Sequence, residues 1–201
     1  MTTYDTWSEL AKVAITAQSG AEVHFDSITE TIDIDIGAKD FDVISTLAGG
    51  RLVKFTPQEP TTITLEAYPV EAGTHSGATG HGFFDLFWGA DTSQPLQIDA
   101  NVLSRNKYRM VIMWTTDQTS TTYAESQVGS PANSALRIIA ADGYFTSVKP
   151  SFTDGLLKFT VTFKVPPVDK TGADNIRIES IDGSATATLT ALGSYTSTVK
   201  Y

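Results

Sequence analysis

Apolar and polar residues alternate one by one along much of this chain. In Thr29-Glu30-Thr31-Ile32-Asp33-Ile34-Asp35-Ile36, isoleucine returns at every second position. Side chains alternate faces on a strand, so Ile32, Ile34 and Ile36 share one face, and Thr31, Asp33 and Asp35 share the other. A helix would scatter those isoleucines around its circumference. Asp is a poor strand former, and two on one face repel each other, so the polar side needs water. The same period recurs in 61–68 and, most strictly, in 156–165, where Leu157, Phe159, Val161, Phe163 and Val165 fall on one face. In 106–114, Tyr108, Met110, Ile112 and Trp114 do the same.

Shorter strands are predicted over 12–16, 21–25, 41–47, 51–55, 136–139, 144–148 and 176–179, with one or two weaker ones in 185–201. Gly49-Gly50, Pro57, Pro60 and three Asp-Gly pairs punctuate them. Asp-Gly suits a type I′ turn, so Asp154-Gly155 is expected to join two antiparallel strands. Phe83-Phe84-Asp85-Leu86-Phe87-Trp88 places four aromatics in six residues and predicts a short helix or turn docked on a sheet. Segments 73–82 and 115–133 read as polar loops, the second long enough to suggest an excursion with a job. The sum is an all-β chain of roughly ten mostly antiparallel strands with one short flanking helix, a sandwich or barrel.

At 201 residues the chain fits a single domain spanning 1–201, with a polar N-terminal arm and a C-terminal strand tail. Forty-one per cent hydrophobic residues rule out wholesale disorder. A net charge of -9 argues against a surface that grips nucleic acid by neutralising phosphates, though not against one that lets it pass. With no cysteine there is neither a disulfide framework nor a thiolate metal site. Met1-Thr2-Thr3-Tyr4-Asp5 lacks the basic start and apolar run of a signal peptide, and no apolar window reaches membrane-spanning length. Synthesis in a cytoplasm, without a membrane partner, is the expectation.

Candidate chemistry is sparse. His24, His75 and His81 lack a third ligand at diagnostic spacing, so no metal is expected. No serine sits in a nucleophile elbow, and the glycine-rich segments match no phosphate-cradling pattern. Asp33 and Asp35 would lie ~6.5–7 Å apart along a strand, but glycosidase carboxylates face each other across a cleft. Neither an enzyme activity nor a cofactor is expected. Trp88 and Trp114, with Tyr108 and Phe87, could line a sugar-binding platform, although large aromatics more often build cores. Lys158 and Lys164 read as solvated charges on an exposed sheet face.

Leu136-Arg137-Ile138, the run from Ala141-Asp142-Gly143-Tyr144 to Phe152, and the strand 156–167 together resemble the C-terminal half of tail tube proteins of tailed viruses. Ile32–Gly37, Ile44–Leu47 with Gly49-Gly50, and Thr61-Thr62-Ile63-Thr64-Leu65-Glu66 resemble the first half. The stretch 83–88 sits where such proteins pack a helix beside their sandwich. The resemblance covers most of 20–180. It implies a siphovirus-like major tail protein, a structural virion protein whose subunits close hexameric rings, each contributing strands to a barrel around a channel. Rings stack into a tube with other tail proteins, and double-stranded DNA passes down it without specific binding. On that reading Thr31, Asp33 and Asp35 are candidate channel-lining residues, repelling a line of phosphates, and the polar excursions 73–82 and 115–133 are candidate ring-to-ring contacts. A carbohydrate-binding or adhesive β-sandwich module is the alternative.

Overall fold

The structure, a computed structural model, describes residues 11–20, 22–25, 29–47, 49–67, 107–117, 119, 122–129, 133–153, 155–182 and 188–201. Among them are twelve strands and no helix. The aromatic run 83–88, where the short helix was expected, lies outside the described residues, as do loop 73–82 and the N-terminal arm 1–10.

The strands are β1 (Ala11–Ala17), β2 (Glu22–Phe25), β3 (Thr29–Asp35), β4 (Phe41–Ser45), β5 (Arg51–Phe55), β6 (Thr61–Ala67), β7 (Tyr108–Thr115), β8 (Val128–Gly129), β9 (Ser134–Thr153), β10 (Leu156–Val165), β11 (Ile176–Asp182) and β12 (Thr188–Leu189). One antiparallel sheet runs β2-β1-β7-β9-β10-β6-β3, with β11 also paired to β9. It curls on itself, because Val13 and Ile15 of β1 and Met110 and Ile112 of β7 pack in one cluster with Ile63 and Leu65 of β6 and Phe159, Val161, Phe163 and Val165 of β10. Phe145 bridges the two halves, its ring 4.8 Å from that of Tyr108 and 5.0 Å from that of Phe163. Each such side chain contributes about 1.5–3 kcal/mol on leaving water. The alternating pattern of β10 thus does what its period predicts.

The outer face of β1, β7, β9 and β11 is buried as well. Ala14, Val111, Met113, Ala135, Ile139 and Ile181 form a second core, closed by Ala124, Val128 and Leu189. β7 therefore has apolar neighbours on both sides, which is why Val111-Ile112-Met113 reads as an unbroken apolar run. The excursion 115–133 supplies part of this cover. Its described part turns inward over β1 and β7, with Ala124 and Val128 in the second core and Glu125 bound to Arg109 and Thr16.

β9 and β10 form the antiparallel pair expected about Asp154-Gly155: Thr153 faces Leu156, with Gly155 at a φ of 79°, while Asp154 lies outside the described residues. Asp142-Gly143 is different. Instead of separating two strands it lies inside the single twenty-residue strand β9. The register with β7 slips between Tyr108 and Met110, so one extra residue of β9 is accommodated there as a bulge. A Cβ on Gly143 would stand 2.2 Å from the Phe163 ring, so only glycine allows this approach. The third surprise is the C-terminal tail, where β12 is a two-residue strand paired to β8 and the rest of 188–201 is irregular.

Candidate functional site

β3 lies at one edge of the sheet, paired only to β6 among the described strands. Ile32 and Ile34 pack against the main core, while Thr31, Asp33 and Asp35 are exposed. The alternation thus places the three candidate channel-lining residues together on the solvent side. Register extends that face: Asp35 is opposite Thr62, which is opposite Lys164; Asp33 is opposite Thr64, which is opposite Thr162. Thr160, two residues from Thr162, lies between Glu66 and Lys149. Cations therefore share the face with the carboxylates. Lys158, expected to be simply solvated, meets Glu66 at 2.5 Å with both side chains partly buried. The surface is a threonine-rich, mixed-charge one, more water-holding than uniformly negative.

Several backbone edges are open among the described strands, those of β2 and β11 among them. β3 lacks a second neighbour, and β9 from Tyr144 onward pairs only β10. Pro150 sits on that half of β9, where an edge tolerates a residue without an N–H.

β4 and β5 form a separate two-stranded hairpin in which every residue is exposed. It grows from the β3–β6 pair through a stalk closed by Glu59 N–H to Ala38 O (3.1 Å) and Thr56 N–H to Asp40 O (2.9 Å). Gly37 makes the stalk possible, since a Cβ there would meet the Glu59 carbonyl at 2.1 Å. Register puts Phe41 opposite Phe55 and Val43 opposite Val53 on one face, and Ile44 opposite Leu52 on the other. Of the twelve large apolar residues exposed in the described chain, eight lie between Ile36 and Phe55, so the apolar surface is concentrated here.

The outer core is clamped by charges in the middle of apolar strands. Arg109 of β7, wholly buried, donates to Glu125 Oε1 (2.8 Å) and to the Gly193 carbonyl (2.8 Å), and Thr16 donates to the same Glu125 oxygen (2.7 Å). Arg137 of β9 binds Glu179 through Nε (3.0 Å) and Nη2 (2.5 Å), and donates to the Thr190 carbonyl (2.7 Å) and the Ser126 carbonyl (3.1 Å). Lys12 donates to the carbonyls of Thr119 and Thr122. The tail and the excursion are thus held by side chains gripping backbone. Burial, then the Asp142 hydrogen bond, pushes the Tyr195 phenol well above its usual range. Tyr201 is pushed up to about 12 by burial and by the nearby Asp174 charge. The Lys200 hydrogen bond holds the Asp169 carboxyl far below the usual carboxylate range. The sequence reading missed Arg109 and Arg137. The available signal was an arginine interrupting a run otherwise destined for burial.

Among the described residues no cluster of His, Cys, Asp or Glu could hold a metal. The side chain of His24, together with His75, His81, Phe87 and Trp88, lies outside the described part. Tyr108 is buried and Trp114 packs against the main core, so these two aromatics are core and not a sugar platform. An open groove of about 620 Å³ between β11 and the tail is lined by Arg177, Glu179 and Tyr201. Glu179 there is already bound by Arg137 and by Arg177 (2.7 Å).

No family model matches the chain, and no curated protein matches it. Among solved structures it is similar to a chain of the anti-feeding prophage (AFP) baseplate, with a TM-score of 0.47 and 10% identity over 89% of this chain and 97% of that one. It is similar to a chain of the PVC sheath-tube complex of an extracellular contractile injection system, with a TM-score of 0.44 and 13% identity over 84% and 88%. Hcp1 from Flavobacterium johnsoniae is similar at a TM-score of 0.31 and 9% identity over 85% and 98%.

Proposed function

We propose that this chain is a structural tube subunit: copies close into rings, hexameric on the tail-tube resemblance, and the rings stack around a channel. The observation that carries the reading is the β4–β5 hairpin. An isolated hairpin is marginally stable in water, and soluble monomers rarely expose so continuous an apolar patch. This one carries apolar pairs on both faces, and among the described strands it pairs with no element but itself. A second copy is the natural cover, because a hairpin seated on a different part of the next subunit makes a head-to-tail contact that repeats without closing. The open edges of β3 and of the second half of β9 supply lateral pairing, which would remove two aggregation-prone edges at once. The face carrying Thr31, Asp33 and Asp35 then lines the channel. Its hydroxyls and mixed charges hold water and offer a passing polyanion no continuous cationic track.

Electron microscopy of the concentrated protein tests this. Hollow tubes of uniform bore are expected, and Val43→Lys with Val53→Lys should leave a folded protein that no longer stacks. A strictly monomeric species in sedimentation at high concentration, with no tube in the parent particle, overturns the proposal. The particle's content separates the two settings: a tailed virion carries double-stranded DNA behind the tube, whereas an injection particle of phage-like build carries none.

A further inference from the structure

β9 changes partners at Asp142. Up to Gly143 it pairs β7, and from Tyr144 onward it pairs β10. Asp142 has a φ of 54°, in the left-handed region that non-glycine residues seldom enter. Its side chain could have pointed into water, yet Asp142 is only 7% exposed. What covers it comes largely from the tail. The Tyr195 hydroxyl donates to Asp142 Oδ1 at 2.7 Å and accepts from the Asp142 N–H at 3.2 Å. The Lys200 ammonium stands 3.4 Å from Asp142 Oδ2 and donates at 2.7 Å to both Asp169 Oδ2 and Asn175 Oδ1. Lys107 approaches from the start of β7, 3.7 Å from Oδ1. Ala141 N–H is meanwhile held by the Asn175 carbonyl at 2.8 Å. Lys200 therefore ties the bend to the 166–175 loop, and Arg109, directly beside the bulge, grips the tail at Gly193 and Lys200 with its guanidinium 5.6 Å over the Tyr195 ring.

We propose that segment 190–201 is a latch that sets the bend of β9 at Asp142, and with it the angle at which the free edge 144–153 is offered to a neighbouring copy. The second clause rests on the ring reading; the first does not. The inner side of the bend is fixed by shape, through Gly143 against Phe163. The outer side is fixed by polar contacts that the tail contributes. A bulge is a soft point in a strand, so removing the outer contacts lets the two halves of β9 swing about it.

The test uses the full chain, which has no native cysteine, so labels can be placed cleanly. Spin labels at Ser180→Cys on β11 and Lys164→Cys on β10, both exposed, report the angle between the two halves of the sheet. Tyr195→Phe with Lys200→Met should leave the circular dichroism of the sheet unchanged while the distance distribution shifts or broadens. Assemblies of that variant should lose their uniform diameter. A distribution superimposable on that of the parent overturns the latch. Where the double variant does not fold, the two single variants decide: superimposable distributions in both overturn it, and a shift in either upholds it. If the parent forms no rings, the edge-angle consequence falls with the ring reading, while the label distances still decide the latch.

Discussion

Arg137 and Glu179 stand opposite each other on β9 and β11, and the guanidinium holds one carboxylate oxygen with two nitrogens, at 3.0 and 2.5 Å. Arg137 is removed from water, Glu179 is partly exposed, and the pair sits under the tail, whose Thr190 carbonyl takes a third bond. Removing Arg137 leaves the Thr190 and Ser126 carbonyls and one Glu179 oxygen without their donor, while Arg177 still holds the other Glu179 oxygen at 2.7 Å. Arg137→Ala should therefore destabilise the fold by about 1–3 kcal/mol, whereas Arg137→Met with Glu179→Met should recover much of the loss. Urea unfolding of the three proteins measures this; equal stabilities for the two variants would show that the Glu179 oxygen left without its donor is not the cause.

Gly143→Ala should lower stability by about 1–3 kcal/mol through overpacking, since the new methyl meets a ring buried to 0% exposure. The cost should not add to that of Phe163→Leu, because both act on one contact. Thermal unfolding of the single and double variants checks it.

On the sheet's polar face, Asp33→Lys with Asp35→Lys should change folding stability by no more than about 0.5 kcal/mol, as both side chains are exposed. If that face lines a channel, the same change should slow delivery of a polyanion through the assembled tube. Unaltered infectivity or delivery places the face on the tube's outside.

The tail's attachment should be sensitive to pH at both extremes. Asp169 has a folded pKa well below its usual value, so its contribution is present above about 4 and is lost as pH falls through the folded value. Lys200→Met removes the hydrogen bond that depresses it, so in this variant the acid-dependent contribution should shrink and tail attachment should vary less with pH below about 4. Tyr201 is raised from 10.0 to about 12, so its contribution is present below 10 and is lost as pH rises through 12. Absorbance titration should show Tyr195 and Tyr201 among the late-ionising phenols. Ordinary midpoints for all seven would place the tail in solvent.

Local alternation determined a great deal by itself. The faces of β3 and β10 and the position of Thr31, Asp33 and Asp35 on the solvent side follow from a period of two, and the reversal between β9 and β10 from an Asp-Gly pair, both properties of neighbouring residues alone. Three things were decided only by the tertiary structure. Asp142-Gly143 carries the same turn signal as Asp154-Gly155, but β7 and β10 pair on either side of it, so the strand bends instead of reversing. The excursion 115–133 looks polar, yet Glu125 meets a buried arginine sixteen residues earlier in the chain, and a polar residue is buried wherever such a partner waits. Segment 41–55 reads as ordinary half-buried strands, and its apolar residues face outward because no described element packs over it. Pairing partners and covering elements lie far apart in sequence, and the physics that settles them is burial and register between distant segments, which a local pattern does not contain.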